Sequence, residues 1–280
     1  DPANPLYQGP GNPLNPFGNN ERHFFMDNVG AVGVFAPDGQ IDNGWQILNV
    51  ANPLNARDHI RQAVADTIAL KRTLPELDVN GDMNPDDLDP NRIQYVGISL
   101  GSIISGVFLG LDTDVKTATL SSPAGPWTSI LTDPQAIDFG APIRKALAAQ
   151  GLPQGTIGFD NFVRDLQTVI DPVDPVNYAV QAATHPIHVI EILGDTAVPN
   201  RPTDYIAQLW NLPSVSTTTP AGPPGPPGSV EGIVRFTAGV HSSLFNPVNR
   251  PVTEEMQQQT VFYAATAGGQ IRINAPSLVQ

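Results

Sequence analysis

The chain has 280 residues, 40% of them hydrophobic and 15% charged, the balance of a globular protein and not of a disordered one. Its 14 basic and 27 acidic residues give a formal charge of −13, which argues against nucleic-acid partners because those select a basic stripe. With no cysteine, disulfides and thiolate metal sites are excluded. No apolar run reaches the roughly 18–20 residues of a transmembrane segment.

Residues 1–55 read as an irregular lead-in loop, dense in Asn-Pro and Gly-Pro pairs that form turns. The apolar run 29–35 is broken by Gly30 and Gly33 and makes a poor core strand. Over 56–74, Ile60, Ala63, Val64, Thr67 and Ile68 fall on one helical face, with Asn55 as N-cap. An acidic loop spans 78–90. Residues 92–96 read as a strand, followed by Gly97-Ile98-Ser99-Leu100-Gly101 and an apolar helix over 102–111. Further strands are expected at 115–120, 187–193 and 232–237. Helices are expected at 203–210 and at 253–265, the latter capped by Thr253.

The segment 123–184 exceeds a simple crossover and carries helical patterns at 142–150 and 161–170, which suits a helical cap or lid. The alternative is one crossover helix with long loops. The Pro-rich stretch 213–228 reads as a surface loop. Alternating strands and helices predict an α/β fold with a mainly parallel sheet. Little strand pattern precedes residue 92, so the strand leading to Ser99 falls at or near the sheet edge.

The motif G-x-S-x-G is weak alone, but a strand before it and a buried helix after it are the setting of a nucleophile elbow. Such a turn lifts the Ser99 hydroxyl to the rim of the sheet. Gly97 and Gly101 would let helix and strand pass closely, and the helix N-terminus would aim the Leu100 N–H at an oxyanion. A nucleophilic serine needs a base and an orienting acid downstream. Asp195 follows the strand 187–193 and His241 follows the strand 232–237, so both fall on the rim that carries Ser99. In that arrangement His241 moves the proton and Asp195 holds its tautomer. The bland reading of Asp195 is a turn aspartate, and Asp204 is a rival acid placed inside the next helix. His23, His59, His185 and His188 fit the base less well by position. This chemistry requires no cofactor. No second oxyanion donor stands out, since Gly9-Pro10-Gly11 follows no strand.

The loop 78–89 sets Asp78, Asn80, Asp82, Asp86 and Asp89 at its first, third, fifth, ninth and twelfth places, the spacing of calcium loops. Met83 stands where such loops use glycine, Asp89 replaces the usual glutamate, and a strand follows instead of a helix. A bound Ca²⁺ would brace the connection ahead of Ser99. The alternative is a solvated Asx-rich turn.

Several stretches together resemble the bacterial extracellular or surface-exposed lipases, the virulence-factor lipases that include lysophospholipases, within the α/β-hydrolase superfamily. They are Glu21-Arg22-His23-Phe24, Pro37-Asp38-Gly39, Ala56-Arg57-Asp58-His59-Ile60, the acidic loop, Gly97 to Gly101, Gly194-Asp195 with Val198-Pro199-Asn200, Val234-Arg235-Phe236-Thr237 through His241, and Thr253-Glu254-Glu255-Met256-Gln257. The resemblance implies an α/β-hydrolase fold with the triad Ser99, Asp195 and His241, a lipid or other ester as substrate, and a place outside the cell or on its surface. It also implies early strands and a second oxyanion loop upstream. The chain is then expected to be the C-terminal portion of a larger hydrolase, with its own upstream segment as a partner. Three functions follow as expectations: a lipase or lysophospholipase, an esterase of short-chain or polymeric esters, and a calcium-binding surface module with an inactive hydrolase core.

Overall fold

The computed structural model describes residues 52–225 and 228–280; the readings made for 1–51, with the run 29–35 and Gly9 to Gly11, lie outside the described residues, and 53–55, read as the end of the loop, are helical. The chain divides into two compact units, 1–55 and 56–280, and the sheet belongs to the second. Helix α1 (Pro53–Thr73) buries Ala56, Ile60 and Val64. It starts earlier than its pattern suggested: Asn55 lies inside it, and Asn52 Oδ1 accepts the Asn55 amide at 3.2 Å. Strand β1 (Tyr95–Ile98) starts later than expected, because Pro90–Arg92 forms a 3₁₀ turn in which Asp89 accepts the Asn91 amide at 2.8 Å.

Helix α2 (Leu100–Leu111) is buried from Ser102 to Leu109, as its unbroken apolar sequence requires. Strand β2 (Ala118–Ser121) follows. Four helices, α3 (Trp127–Thr132), α4 (Gly140–Ala149), α5 (Ile157–Ile170) and α6 (Ala179–Ala182), fill the connection to β3 (Ile187–Ile192), so this is a multi-helix insertion and not a single crossover helix. Helix α7 (Asn200–Leu209), strand β4 (Gly232–Phe236) and helix α8 (Arg250–Ala265) complete the order. Thr253 does not cap α8. The helix begins three residues earlier, and the Thr253 hydroxyl bonds back to the carbonyls of Asn246 and Asn249.

The four strands are parallel in the order β1-β2-β3-β4. Parallel sheets are covered on both faces, and accordingly every residue of β2 and β3 is buried. One face packs Ile190, Ile192, Val234 and Phe236 against Val252, Met256 and Tyr263 of α8. The opposite face carries Glu191 and Arg235 toward α7. Among the described residues β1 pairs only with β2 and forms the sheet edge, where Val96 is 44% exposed.

The insertion is anchored by Asp174, which is buried completely. Its Oδ2 accepts the Trp127 amide and the Gln167 side chain, each at 2.8 Å, and its Oδ1 accepts the Val176 amide at 3.0 Å. Burial raises this carboxyl above its ordinary pKa, and the three donors oppose that rise. Replacing Asp174 with Ala strands these donors, so we expect a loss of about 2–4 kcal/mol. Urea denaturation measures the loss, and limited proteolysis should show earlier cleavage within the insertion.

Candidate active site

Ser99 joins β1 to α2 at φ 55°, ψ −124°, a conformation that costs a non-glycine residue about 1–3 kcal/mol and is stable only when its surroundings enforce it. The enforcing contacts are local. The Ser99 amide donates to Ser121 O at 2.9 Å, and its carbonyl receives the Ser102 and Ile103 amides at 2.8 and 3.0 Å. Tyr95 Oη donates to Gly101 O at 2.9 Å, and Ser102 Oγ donates to Ser121 O at 2.8 Å. Leu100 is the first residue of α2, and its N–H has no intrahelical acceptor, as at any helix start. The two motif glycines are not equivalent. A Cβ at Gly97 would meet Gly101 C and O at 3.0 Å and Tyr95 Cε1 at 2.9 Å, whereas among the described residues one at Gly101 would find only Tyr95 Oη, at 4.0 Å. The close passage expected of both belongs to Gly97.

Asp195 lies just past β3, with its side chain 1% exposed. Oδ1 accepts the amides of Ala197 and Val198 at 2.9 and 3.1 Å. Oδ2 lies 2.7 Å from His241 Nδ1. With an acceptor at Nδ1, the ring carries its proton there and leaves Nε2 as the base. His241 Nε2 is buried and makes no hydrogen bond among the described residues. No hydrogen bond joins the Ser99 hydroxyl to His241 among the described residues. The His241 loop is tied by Ser243, whose hydroxyl accepts the Val240 amide at 2.8 Å while its amide donates to Val240 O at 2.8 Å.

No family model matches the chain, and no curated protein matches it in sequence. Among solved structures it is similar to an acetyl xylan esterase from Paenibacillus sp. R4, at 14% identity over 84% of this chain and 63% of that one, with a TM-score of 0.51. Acetyl xylan esterase 1 from Thermoanaerobacterium sp. JW/SL YS485 shares 15% identity over 79% of this chain and 62% of that one, with a TM-score of 0.48. The acylaminoacyl peptidase of Pyrococcus horikoshii shares 15% identity over 79% of this chain, with a TM-score of 0.47. This chain spans only 29% of that longer protein. The chain has the α/β-hydrolase fold.

Within this hydrolase fold Asp204, His185 and His188 are occupied elsewhere, and His23 lies outside the described residues. Asp204 pairs with Arg235 on α7's side of the sheet. Both ring nitrogens of His185 face carbonyl oxygens, Nδ1 that of Val115 and Nε2 those of Leu109 and Asp112, which pins the end of α2. His188 is sealed beneath α8, and its burial lowers its pKa to about 4. Ser122 and Ser243 were not singled out from sequence, and Asn200 was quoted only within a resembling stretch, with no role given to it. Asn200 Nδ2 donates to Glu191 Oε1 at 2.9 Å and to Ile192 O at 2.7 Å, and its Oδ1 accepts the Gly194 amide at 2.8 Å, closing the acid loop. A polar residue at the first turn of the helix after an acid loop was the available signal.

The acidic loop does not gather its oxygens around a common centre. Asp78 accepts the amides of Gly81, Asp82 and Met83, Asn80 that of Asp82, and Asp82 that of Asn84. Asp87, outside the calcium spacing, accepts the amides of Val79 and Asn80. Asp89 is spent on the turn before β1, and no hydrogen bond involves the Asp86 side chain among the described residues. Among the described residues no group of three or more His, Asp or Glu is placed to hold a metal ion. As arranged, Asp78, Asn80, Asp82, Asp86 and Asp89 do not fit a calcium cage.

Two predictions follow from this geometry. Gly97→Ala should destabilise the fold by about 1–3 kcal/mol and distort the elbow, while Gly101→Ala should stay within about 0.5 kcal/mol of the parent, both by denaturant titration. The second concerns pH. Burial pushes the Glu191 carboxyl up to about 7, with Asp204 adding to the rise. Arg235 Nε lies 2.8 Å from Glu191 Oε2 but without hydrogen-bond alignment, so it opposes the rise weakly. From pH 4.5 to about 7 the native state then binds more protons than the unfolded chain, and stability falls as pH rises. His188 acts oppositely: from about 4 to 6.5 the unfolded chain binds more protons, and stability rises with pH. Glu191→Gln removes the falling contribution and keeps that of His188, so unfolding free energies between pH 4.5 and 6.5 should climb more steeply than in the parent.

Proposed function

We propose that this chain is a serine hydrolase of carboxylic esters. The carrying observation is the 2.7 Å Nδ1–Oδ2 pair of His241 and Asp195, with Nε2 left free on the rim that bears the strained Ser99. Ser99 Oγ attacks the acyl carbon while His241 Nε2 takes its proton. Charge on the former carbonyl oxygen is met by the Leu100 N–H and the N-terminal end of α2. Collapse of the intermediate expels the alcohol, which leaves with the proton from His241. Water then repeats the sequence on the acyl-enzyme and releases the acid.

A lipase or lysophospholipase specificity is supported by the apolar surface beside the base. Val240, Phe245 and Val248 are 45%, 64% and 74% exposed on and just after the His241 loop. Solvent-facing apolar side chains at a catalytic rim suit an acyl chain better than a sugar. An esterase of short-chain esters is the second reading, favoured where chain-length profiling with p-nitrophenyl esters peaks at acetate or butyrate.

A fluorophosphonate probe should label the parent and not Ser99→Ala, and p-nitrophenyl ester hydrolysis should fall by about a thousandfold or more in Ser99→Ala and in His241→Ala. Absence of labelling in well-folded parent protein would reject the hydrolase reading and leave a binding module.

A further inference from the structure

The carboxylate of Asp195 has a further partner. Ser122 Oγ donates to Asp195 Oδ2 at 3.0 Å, the same oxygen that meets His241. Ser122 follows β2 directly, as Ser99 follows β1, and the register pairs the preceding residues Ile98 and Ser121. Its amide donates to Ile190 O at 2.9 Å, which fixes it against β3. Its side chain thus reaches from the end of the middle strand to the acid loop.

Ser122 also holds φ 54°, a left-handed conformation that favours glycine. The residue is buried, 1% exposed. Glycine would meet the backbone geometry at lower cost. A serine in this conformation, with its side chain bonded to the Asp195 carboxylate, is backbone strain beside that carboxylate. A buried carboxylate is costly unless each lone pair is filled. The loop amides fill Oδ1, and His241 alone leaves Oδ2 half filled.

We propose that Ser122 is a positioning residue for the acid: its buried hydroxyl shares Asp195 Oδ2 with His241 and fixes how that oxygen is presented to the imidazole. The inference rests on the hydrolase reading for its catalytic consequence, but not for the hydrogen bond itself.

The test uses Ser122→Gly, which removes the hydroxyl while suiting φ 54°, beside Ser122→Ala. Thermal melts should show the glycine variant still cooperatively folded, the relief at φ 54° offsetting part of the lost hydrogen bond. Its kcat on a p-nitrophenyl ester should fall about three- to tenfold, the range of one ordinary hydrogen bond, with KM within about twofold. A low-field proton resonance of His241 Nδ1–H, assigned by its loss in Asp195→Asn, should move downfield in Ser122→Gly as Oδ2 loses its competing donor. An unmoved resonance in the folded glycine variant, or an unchanged kcat, overturns the proposal and leaves Ser122 as a structural residue. A parent protein inactive on esters refutes the hydrolase reading instead, and the resonance still decides the role of Ser122.

Discussion

A carboxylate buried as deeply as Asp195 stays useful only if its surroundings replace water, and that requirement organises the rim. Its donors come from three places: the loop amides of Ala197 and Val198, the residue after β2, and the loop after β4. Each lies beyond the C-terminal end of a parallel strand, where an open α/β sheet collects its ligands. The parallel register fixes those ends relative to each other, so the sheet aligns the donors before any side chain is chosen.

The same loop is braced from the rear. Asn200 joins Glu191, the end of β3 and Gly194, while Thr196 holds the helical insertion, accepting the Ile137 and Asp138 amides on its carbonyl and donating its hydroxyl to Asp138. A change in the insertion is therefore one residue removed from the acid. Asp195 is sealed, with its side chain 1% exposed, whereas the His241 side chain is 21% exposed and Ser99 is half-buried.

Much of this was legible in the sequence. The alternation of strands and helices, the buried α2 and the order of serine, aspartate and histidine on strand ends follow from periodicity and from the rule that parallel strands share a functional rim. Boundaries were less legible, because local turn chemistry moved them: Asp89 capped a turn that delayed β1, and the Arg250-Pro251 start of α8 left Thr253 inside the helix. Ser122 left no mark, since a serine after a strand looks the same whether its φ is negative or positive. The acidic loop was ambiguous for a physical reason. Carboxylates every second residue can converge on a cation or turn inward to backbone N–H groups, and here Asp78 and Asp87 turn inward. Gly101 was overread, because the motif does not say which glycine the close passage needs.

The position of β1 has a bearing on how such a protein would fail. Among the described residues its strand has a single hydrogen-bonded neighbour, whereas β3, which leads to the acid, has two. Local opening is cheapest where ladder bonds are fewest. The conformation of Ser99 depends on its bond to Ser121 across that one ladder, so fraying there would relax Ser99 while Asp195, His241 and most of the core stayed native. The turn at Ser99 would then open on warming before the core melts, and the midpoint of that opening and the midpoint of global unfolding would be separate properties of the molecule.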